Sequence, residues 1–209
     1  MTAAVRVPEQ AIDPLFHERW SPRAFTAEEI EEKVLLGLFE AARWAPSSMN
    51  LQPWRFVYAR RGTAAFDRFL KTLAPGNQAW AARAAALVAV VSHELSPGPA
   101  SGGGAPVRSR SHSFDAGAAW AHLALQAHLW GFGTHAMGGF DPEAARAALR
   151  VPEGWRIEVF VAVGRPGDPA TLPDWAKARE KPSTRKPLAE IVREGAFEGT
   201  EARDPSRAA

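Results

Sequence analysis

Arg19, Trp20, Ser21, Pro22 and Arg23 place two guanidinium groups and a hydroxyl within five residues. Arginine offers a planar fork of charged donors and serine a short neutral one, a combination that suits a phosphate dianion. A second polar run, from Pro46 through Ser47, Ser48, Met49, Asn50, Leu51 and Gln52 to Pro53 and Trp54, brackets hydroxyls and amides between prolines that fix the backbone. Such groups can read a planar ring whose edge alternates donors and acceptors. Each run in isolation is also compatible with a solvated turn or with ordinary capping chemistry. A third candidate is Met137, Gly138, Gly139, Phe140 and Asp141. Without a Cβ, Gly138 and Gly139 let the backbone approach a planar ring and present an N–H to it. Arg185, Lys186 and Pro187 add late cations.

The composition limits what chemistry these groups can join. The 209 residues contain no cysteine, so there is no thiolate nucleophile, disulfide framework or Cys-ligated metal. Redox chemistry would have to be carried by a borrowed cofactor. The formal net charge of +2 comes from nearly balanced acids and bases, which argues against a nucleic-acid partner. No apolar run approaches the ~20 residues needed to cross a bilayer, and the N-terminus lacks the apolar stretch of a secretory signal. A cytoplasmic protein without a membrane partner is expected. At 46% hydrophobic residues the chain can bury the core of one domain, taken as residues 1–197, with a polar, frayed tail at 198–209. The eight tryptophans are first of all core fillers.

The elements that must position these groups show in the periodicity. Thr26 and Glu29 have the spacing of a capping box, and Ile30, Val34, Leu38, Ala41 and Ala45 follow at helical intervals. A helix over 26–45, ended by Pro46, is expected, then a loop and a short strand at Arg55, Phe56, Val57 and Tyr58. A helix over 64–73, a turn at Pro75, Gly76 and Asn77, a helix over 79–85 and a buried strand over 86–91 come next. Residues 96–113, rich in Ser, Pro, Gly and Arg, cannot bury enough apolar surface to order themselves and are expected to form a mobile loop. In that loop His112, Arg108 and Arg110 read as mobile surface. The helix over 114–130 is apolar on several faces, which implies burial on more than one side and suggests a subunit interface. Asp141 caps a short helix with Pro142 at its first position, and residues 157–163 form another buried strand.

The order of these motifs resembles the FMN-dependent nitroreductase family. The pattern runs from Arg19, Ser21 and Arg23 before the first helix, through the 46–54 loop and a buried central helix, to Met137, Gly138, Gly139, Phe140 and Asp141. The resemblance implies an α+β, three-layer sandwich with a mixed, mainly antiparallel sheet flanked by helices, assembled as an intertwined homodimer with FMN at the interface. It also implies electron transfer from NADH or NADPH to a small-molecule acceptor such as a nitroaromatic or quinone, by a ping-pong cycle. Carried over by position, Arg19 and Ser21, with neighbouring Trp20, would meet the phosphate and ribityl end, Arg23 the ring edge and Arg185 the phosphate again. Pro46, Ser47, Ser48, Asn50 and Gln52 would come from the partner subunit, Met137, Gly138 and Gly139 would lie by flavin N5, and Asn77 would touch the ring. Family members often carry a second late cation where Ser183 stands, a place that Lys181 or Lys186 could fill. Alternatives are a specialised flavin enzyme of the same fold (azoline dehydrogenase, reductive dehalogenase or flavin-fragmenting) and a flavin-binding protein without turnover.

Other readings fail on context. Gly131, Gly133 and Ala136 match a loose dinucleotide fingerprint, but a long helix precedes them where a strand is required. His122 and His128 are six apart on a helix and face different ways, so no metal-ligand spacing arises. Nothing resembles a nucleophile elbow, and no catalytic acid or base is assigned.

Overall fold

The computed structural model describes residues 6–97 and 105–197; the expected tail at 198–209 and the centre of the 96–113 loop lie outside these. In chain order the elements are α1 (Pro14–Glu18), α2 (Glu32–Arg43), β1 (Trp54–Arg60), α3 (Ala64–Thr72), α4 (Pro75–Ala81), β2 (Ala86–His93), β3 (Leu95–Ser96) and β4 (Val107–Arg108). There follow α5 (His112–Leu129), β5 (Gly133–Met137), α6 (Pro142–Leu149), β6 (Trp155–Gly164), α7 (Asp174–Lys177) and α8 (Leu188–Ile191).

Four strands form one sheet in the order β1-β2-β6-β5, and every pairing in it is antiparallel. β2 is buried along nearly its whole length because alternate side chains enter two different cores. Leu87, Ala89 and Val91 join Phe66 and Phe69 of α3, Trp80 of α4 and Ala145 of α6. Ala86, Val88 and Val90 join Leu35 and Leu38 of α2 and Ala119, Leu123 and Ala127 of α5. The result is helix, sheet, helix in three layers, as expected. The parallel component of a mixed sheet is not among the described residues.

Several boundaries differ from expectation for identifiable reasons. The helix expected from Thr26 starts only at Glu32, and the capping box does not form. Ala24 and Phe25 are instead held against the far end of the sheet: Thr26 N–H donates to the Arg165 carbonyl at 3.0 Å and Gly167 N–H to that of Ala24 at 2.9 Å. A Cβ on Gly167 would come within 2.6 Å of the Phe25 carbonyl carbon, so glycine there allows the approach. Pro75, Gly76 and Asn77 are not a turn but the first turn of α4, with Pro75 in the first-turn position that tolerates a missing N–H. The 79–85 helix accordingly ends early, at Ala81. The 131–140 segment contains an unforeseen edge strand, β5. The stem of the 96–113 loop is ordered, since Leu95 and Ser96 pair with Arg108 and Val107 and α5 begins at His112. His112 is therefore buried at the start of α5 rather than part of a mobile surface. Asp141 caps α6 through Glu143 and Ala144 N–H, each at 3.0 Å, as its sequence foretells.

Candidate functional site

Arg19, Trp20, Ser21, Arg23 and Arg185 come together around one cleft of about 300 Å³, although 162 residues separate Arg23 from Arg185. Arg6, His135, Arg179, Lys181 and Ser183 complete its lining. Six of these ten side chains are cationic, and among the described residues none of the six lies within 4.0 Å of a carboxylate. The Arg19 guanidinium is held below its ordinary pKa, first by burial and then by the charges of Arg6 and Arg185. Arg6 is lowered by burial and by Arg185. Crowded, partly desolvated cations without a counter-charge make a site that a dianion would relieve.

The cleft is braced from three parts of the chain. The Arg6 guanidinium donates to the carbonyls of Ser183 at 2.8 Å, Arg19 at 2.8 Å and His17 at 3.1 Å. Arg185 donates to Ser183 Oγ at 3.0 Å and to the Thr184 carbonyl at 3.0 Å. Glu180 accepts the backbone N–H of Arg23 and of Ala24, both at 2.9 Å. Ser183 therefore orients a neighbouring arginine, while the additional cations at the cleft are Arg6, Arg179 and Lys181; Lys186 faces a different cavity.

His135 lies between this cleft and the sheet on β5. Its Nδ1 is 3.1 Å from the Pro22 carbonyl, which can only accept, so Nδ1 carries the proton. Burial, and then the Arg23 cation, push the imidazole down to about 4. Its ring centroid is 4.7 Å from that of Trp80. A neutral imidazole at neutral pH leaves Nε2 as an acceptor among donors.

β5 leads from His135 to Gly138 and Gly139. Gly138 is exposed, and a Cβ there would meet nothing within 4 Å, so a flat group could lie against it. The Gly139 carbonyl accepts from Asn77 Nδ2 and Ala74 N–H, both at 2.9 Å, which fixes the peptide beyond the strand. Asn77 thus acts here as a brace for the glycine pair, with Met137 buried beneath it.

The 46–54 loop is not near this cleft. It precedes β1, at the opposite edge of the sheet from β5. Three strand spacings separate those edges, about 14 Å. Met49, Asn50 and Gln52 adopt φ of 51°, 55° and 48°, a left-handed conformation uncommon for residues with side chains. The buried Asp115 of α5 holds the strained loop, accepting from Ser47 Oγ and Ser48 N–H at 3.0 Å each. Ser47 Oγ in turn accepts from Gln52 N–H at 2.8 Å. The Asn50 and Gln52 side chains remain exposed. Strained backbone clusters at functional sites, and this exposed loop lies at the sheet edge opposite its own chain's cleft.

Arg6, Arg179, His135 and Asp115 were missed by sequence reasoning. Of the two lysines named for the place of Ser183, Lys181 is the one at the cleft.

Residues 17–74 and 60–165 match the Nitroreductase family. Among solved structures, one described as an oxidoreductase containing FMN is 44% identical, with a TM-score of 0.88 over 93% of this chain and 96% of that one. An NADH dehydrogenase of Thermus thermophilus is 30% identical over 197 residues, 84% of this chain and 91% of that protein. A 5,6-dimethylbenzimidazole synthase of Rhodospirillum rubrum is 28% identical over 84% of this chain and 93% of its own length.

Proposed function

Because the chain belongs to the Nitroreductase family and is an FMN-dependent oxidoreductase, we propose that it oxidises NADH or NADPH and reduces a small conjugated acceptor, a nitroaromatic or quinone. The two half-reactions alternate over one ring face in a ping-pong cycle, and the working unit is a homodimer. Bound FMN supplies a ring that takes up hydride from the nicotinamide and gives electrons to the acceptor.

The observation that carries this reading is the cleft with six cations and no lining carboxylate. Its donor set fits a phosphate monoester: Arg19, Arg185, Lys181 and Arg6 surround the charge, and Ser21 adds a neutral donor. Arg23 lies toward β5, where a cation beside a reduced, anionic ring stabilises it. His135 Nε2 would accept from a ribityl hydroxyl, and the open face of Gly138 would admit the ring edge. A ring with its edge at Gly138 would find none of the 46–54 polar groups of its own chain beside it. Ser47, Ser48, Asn50 and Gln52 of the partner subunit supply the missing polar edge, which accounts for a rigid loop whose side chains meet nothing of their own cleft.

The test is to add FMN to purified protein and follow flavin absorbance without oxygen. Yellow dimeric protein should bleach with NADH or NADPH and recover colour with a quinone or nitroaromatic. Protein that remains colourless and monomeric overturns the reading, and colour without bleaching indicates a flavin carrier. The similarity to 5,6-dimethylbenzimidazole synthase supports a second reading, flavin fragmentation. That reading requires reduced FMN to disappear with oxygen and leave a benzimidazole product.

A further inference from the structure

Beyond Gly138 the chain holds a further cavity of about 310 Å³, lined by Gly138, Phe140, Glu143, Arg146, Arg156 and Glu158 among others. Glu158 enters it from an irregularity in β6. Val90 pairs with Val159 but Val91 pairs with Ile157, so Glu158 is the extra residue of a β-bulge. Bulges re-aim side chains and recur beside active sites. Here the bulge turns a carboxylate toward the buried start of α5.

The hydrogen bonds behind that carboxylate have a forced direction. Glu158 Oε1 is 2.6 Å from Ser92 Oγ and 2.7 Å from Ser113 Oγ. Oε1 only accepts, whether the group is ionised or carries its proton on Oε2, so each serine spends its single proton on it. Ser92 Oγ is also 2.8 Å from His112 Nδ1, and Ser113 Oγ is 3.3 Å from the same atom. With the hydroxyl protons committed, Nδ1 must be the donor. A proton on His112 thus has two parallel bridges to Glu158. Ser92 is fully buried, His112 is 8% exposed, and Glu158 alone of the bonded set borders the cavity. The other charged groups around the set are Arg156, whose Nε is 3.5 Å from Glu158 Oε2, Glu143 and Arg146 across the cavity, and Asp115 one turn along α5. Arg146 is engaged by the carbonyls of Val151, Pro152 and Trp155.

We propose that Glu158 is the proton donor to the acceptor bound beyond Gly138, recharged from His112 through Ser92 or Ser113. The proposal rests on the flavin reading above. Reducing a quinone to a hydroquinone takes two electrons and two protons. Hydride from the reduced cofactor brings both electrons and one proton. For this step Glu158 is the carboxylic acid, its proton on Oε2: that proton leaves for the developing oxyanion as Ser92 passes its hydroxyl proton to Oε1 and takes the Nδ1 proton of the imidazolium. The flavin ends oxidised, the imidazole neutral, and solvent returns one proton to it. Glu158 touches the acceptor; Ser92, Ser113 and His112 act through it.

Stopped-flow measurement of Glu158→Gln and of Ser92→Ala/Ser113→Ala separates this relay from a structural role. Both variants should bind FMN and bleach with NADH or NADPH at the wild-type rate. Re-oxidation by a soluble benzoquinone should slow on the order of 100-fold, the scale of lost general-acid catalysis. In the wild type that step slows as pH rises, and in both variants the slope disappears. Nitrogen NMR of flavin-free protein gives an independent readout: the neutral His112 ring carries its proton on Nδ1 in the wild type and loses that preference in the double serine variant. Unchanged re-oxidation and pH slope in the variants, or a wild-type His112 protonated only on Nε2, overturns the relay. If wild-type protein never binds or bleaches flavin, the flavin reading falls first, and the NMR result still judges the hydrogen-bond direction by itself.

Discussion

Glu180 turns its carboxylate to the backbone N–H of Arg23, with Oε1 and Oε2 at 2.9 and 3.0 Å, rather than to that residue's guanidinium. This acid therefore shapes the cleft without forming an ion pair with its cations. Glu180→Ala leaves the N–H groups of Arg23 and Ala24 without their acceptor. It should lower stability by about 2 kcal/mol, the range for a charge-assisted bond lost inside a protein. FMN affinity should fall with it. Urea unfolding of flavin-free protein, paired with fluorescence titration, checks both; unchanged values in both refute the bracing role.

Arg19 should report on the phosphate itself. Arg19→Ala is expected to weaken FMN binding at least 10-fold, equivalent to about 1.4 kcal/mol, and to leave riboflavin binding almost unaltered, because riboflavin lacks the phosphate. Added salt should weaken wild-type FMN binding more than that of the variant. Equal losses for FMN and riboflavin would place Arg19 elsewhere than at the phosphate.

How much of this was legible in the chain depended on the range of the contacts. The Asp141 cap and the β2 run are local patterns, and the structure has them where the residues indicate. Thr26 and Glu29 carry a sound capping signature, yet the backbone at 24–26 bonds to Arg165 and Gly167, and that tertiary pairing overrides local propensity. Arg6 and Lys181 join the cleft from opposite ends of the chain, and no spacing rule connects them. Glu158 reads as one more strand residue until the shift between Val90 and Val91 turns it aside.

His135 makes stability depend on pH in a defined window. Its value of about 4 in the folded chain lies below the ordinary 6.5, so between these the unfolded chain binds more protons. Stability is then full above 6.5 and is lost as pH falls toward 4, by about 3 kcal/mol at most. His135→Asn keeps an N–H for the Pro22 carbonyl and cannot titrate. The expected result is a shallower loss of unfolding free energy from pH 7 to pH 4.5 than in wild type; parallel curves would rule His135 out as the source.

Gly138 and Gly167 should respond differently to a single methyl group. Gly138→Ala meets no atom within 4 Å and should leave flavin-free stability within about 0.5 kcal/mol, as surface changes usually do. It should nevertheless weaken FMN binding, since the methyl occupies the open face beside the ring edge. Gly167→Ala would drive a methyl into the Phe25 backbone and should destabilise by more than about 2 kcal/mol. Thermal melts with and without FMN distinguish the two; a Gly138→Ala protein that binds FMN normally would remove that glycine from the site.

The separation of the 46–54 loop from its own cleft leads to a prediction about mixed dimers. Arg19→Ala impairs a phosphate cleft, whereas Asn50→Ala/Gln52→Ala impairs the polar loop, and each homodimer should bind FMN poorly. If loop and cleft meet across the interface, a dimer of one Arg19→Ala chain and one loop-variant chain has two unequal sites. One pairs the altered cleft with the altered loop. The other pairs an intact cleft with an intact loop and should bind FMN with wild-type affinity. Co-expression with two different tags, purification of the mixed dimer and flavin titration should therefore give about half the wild-type stoichiometry, as expected for two independent sites. If instead each loop served its own chain's cleft, every site in the mixed dimer would carry one defect, and no tight site would appear.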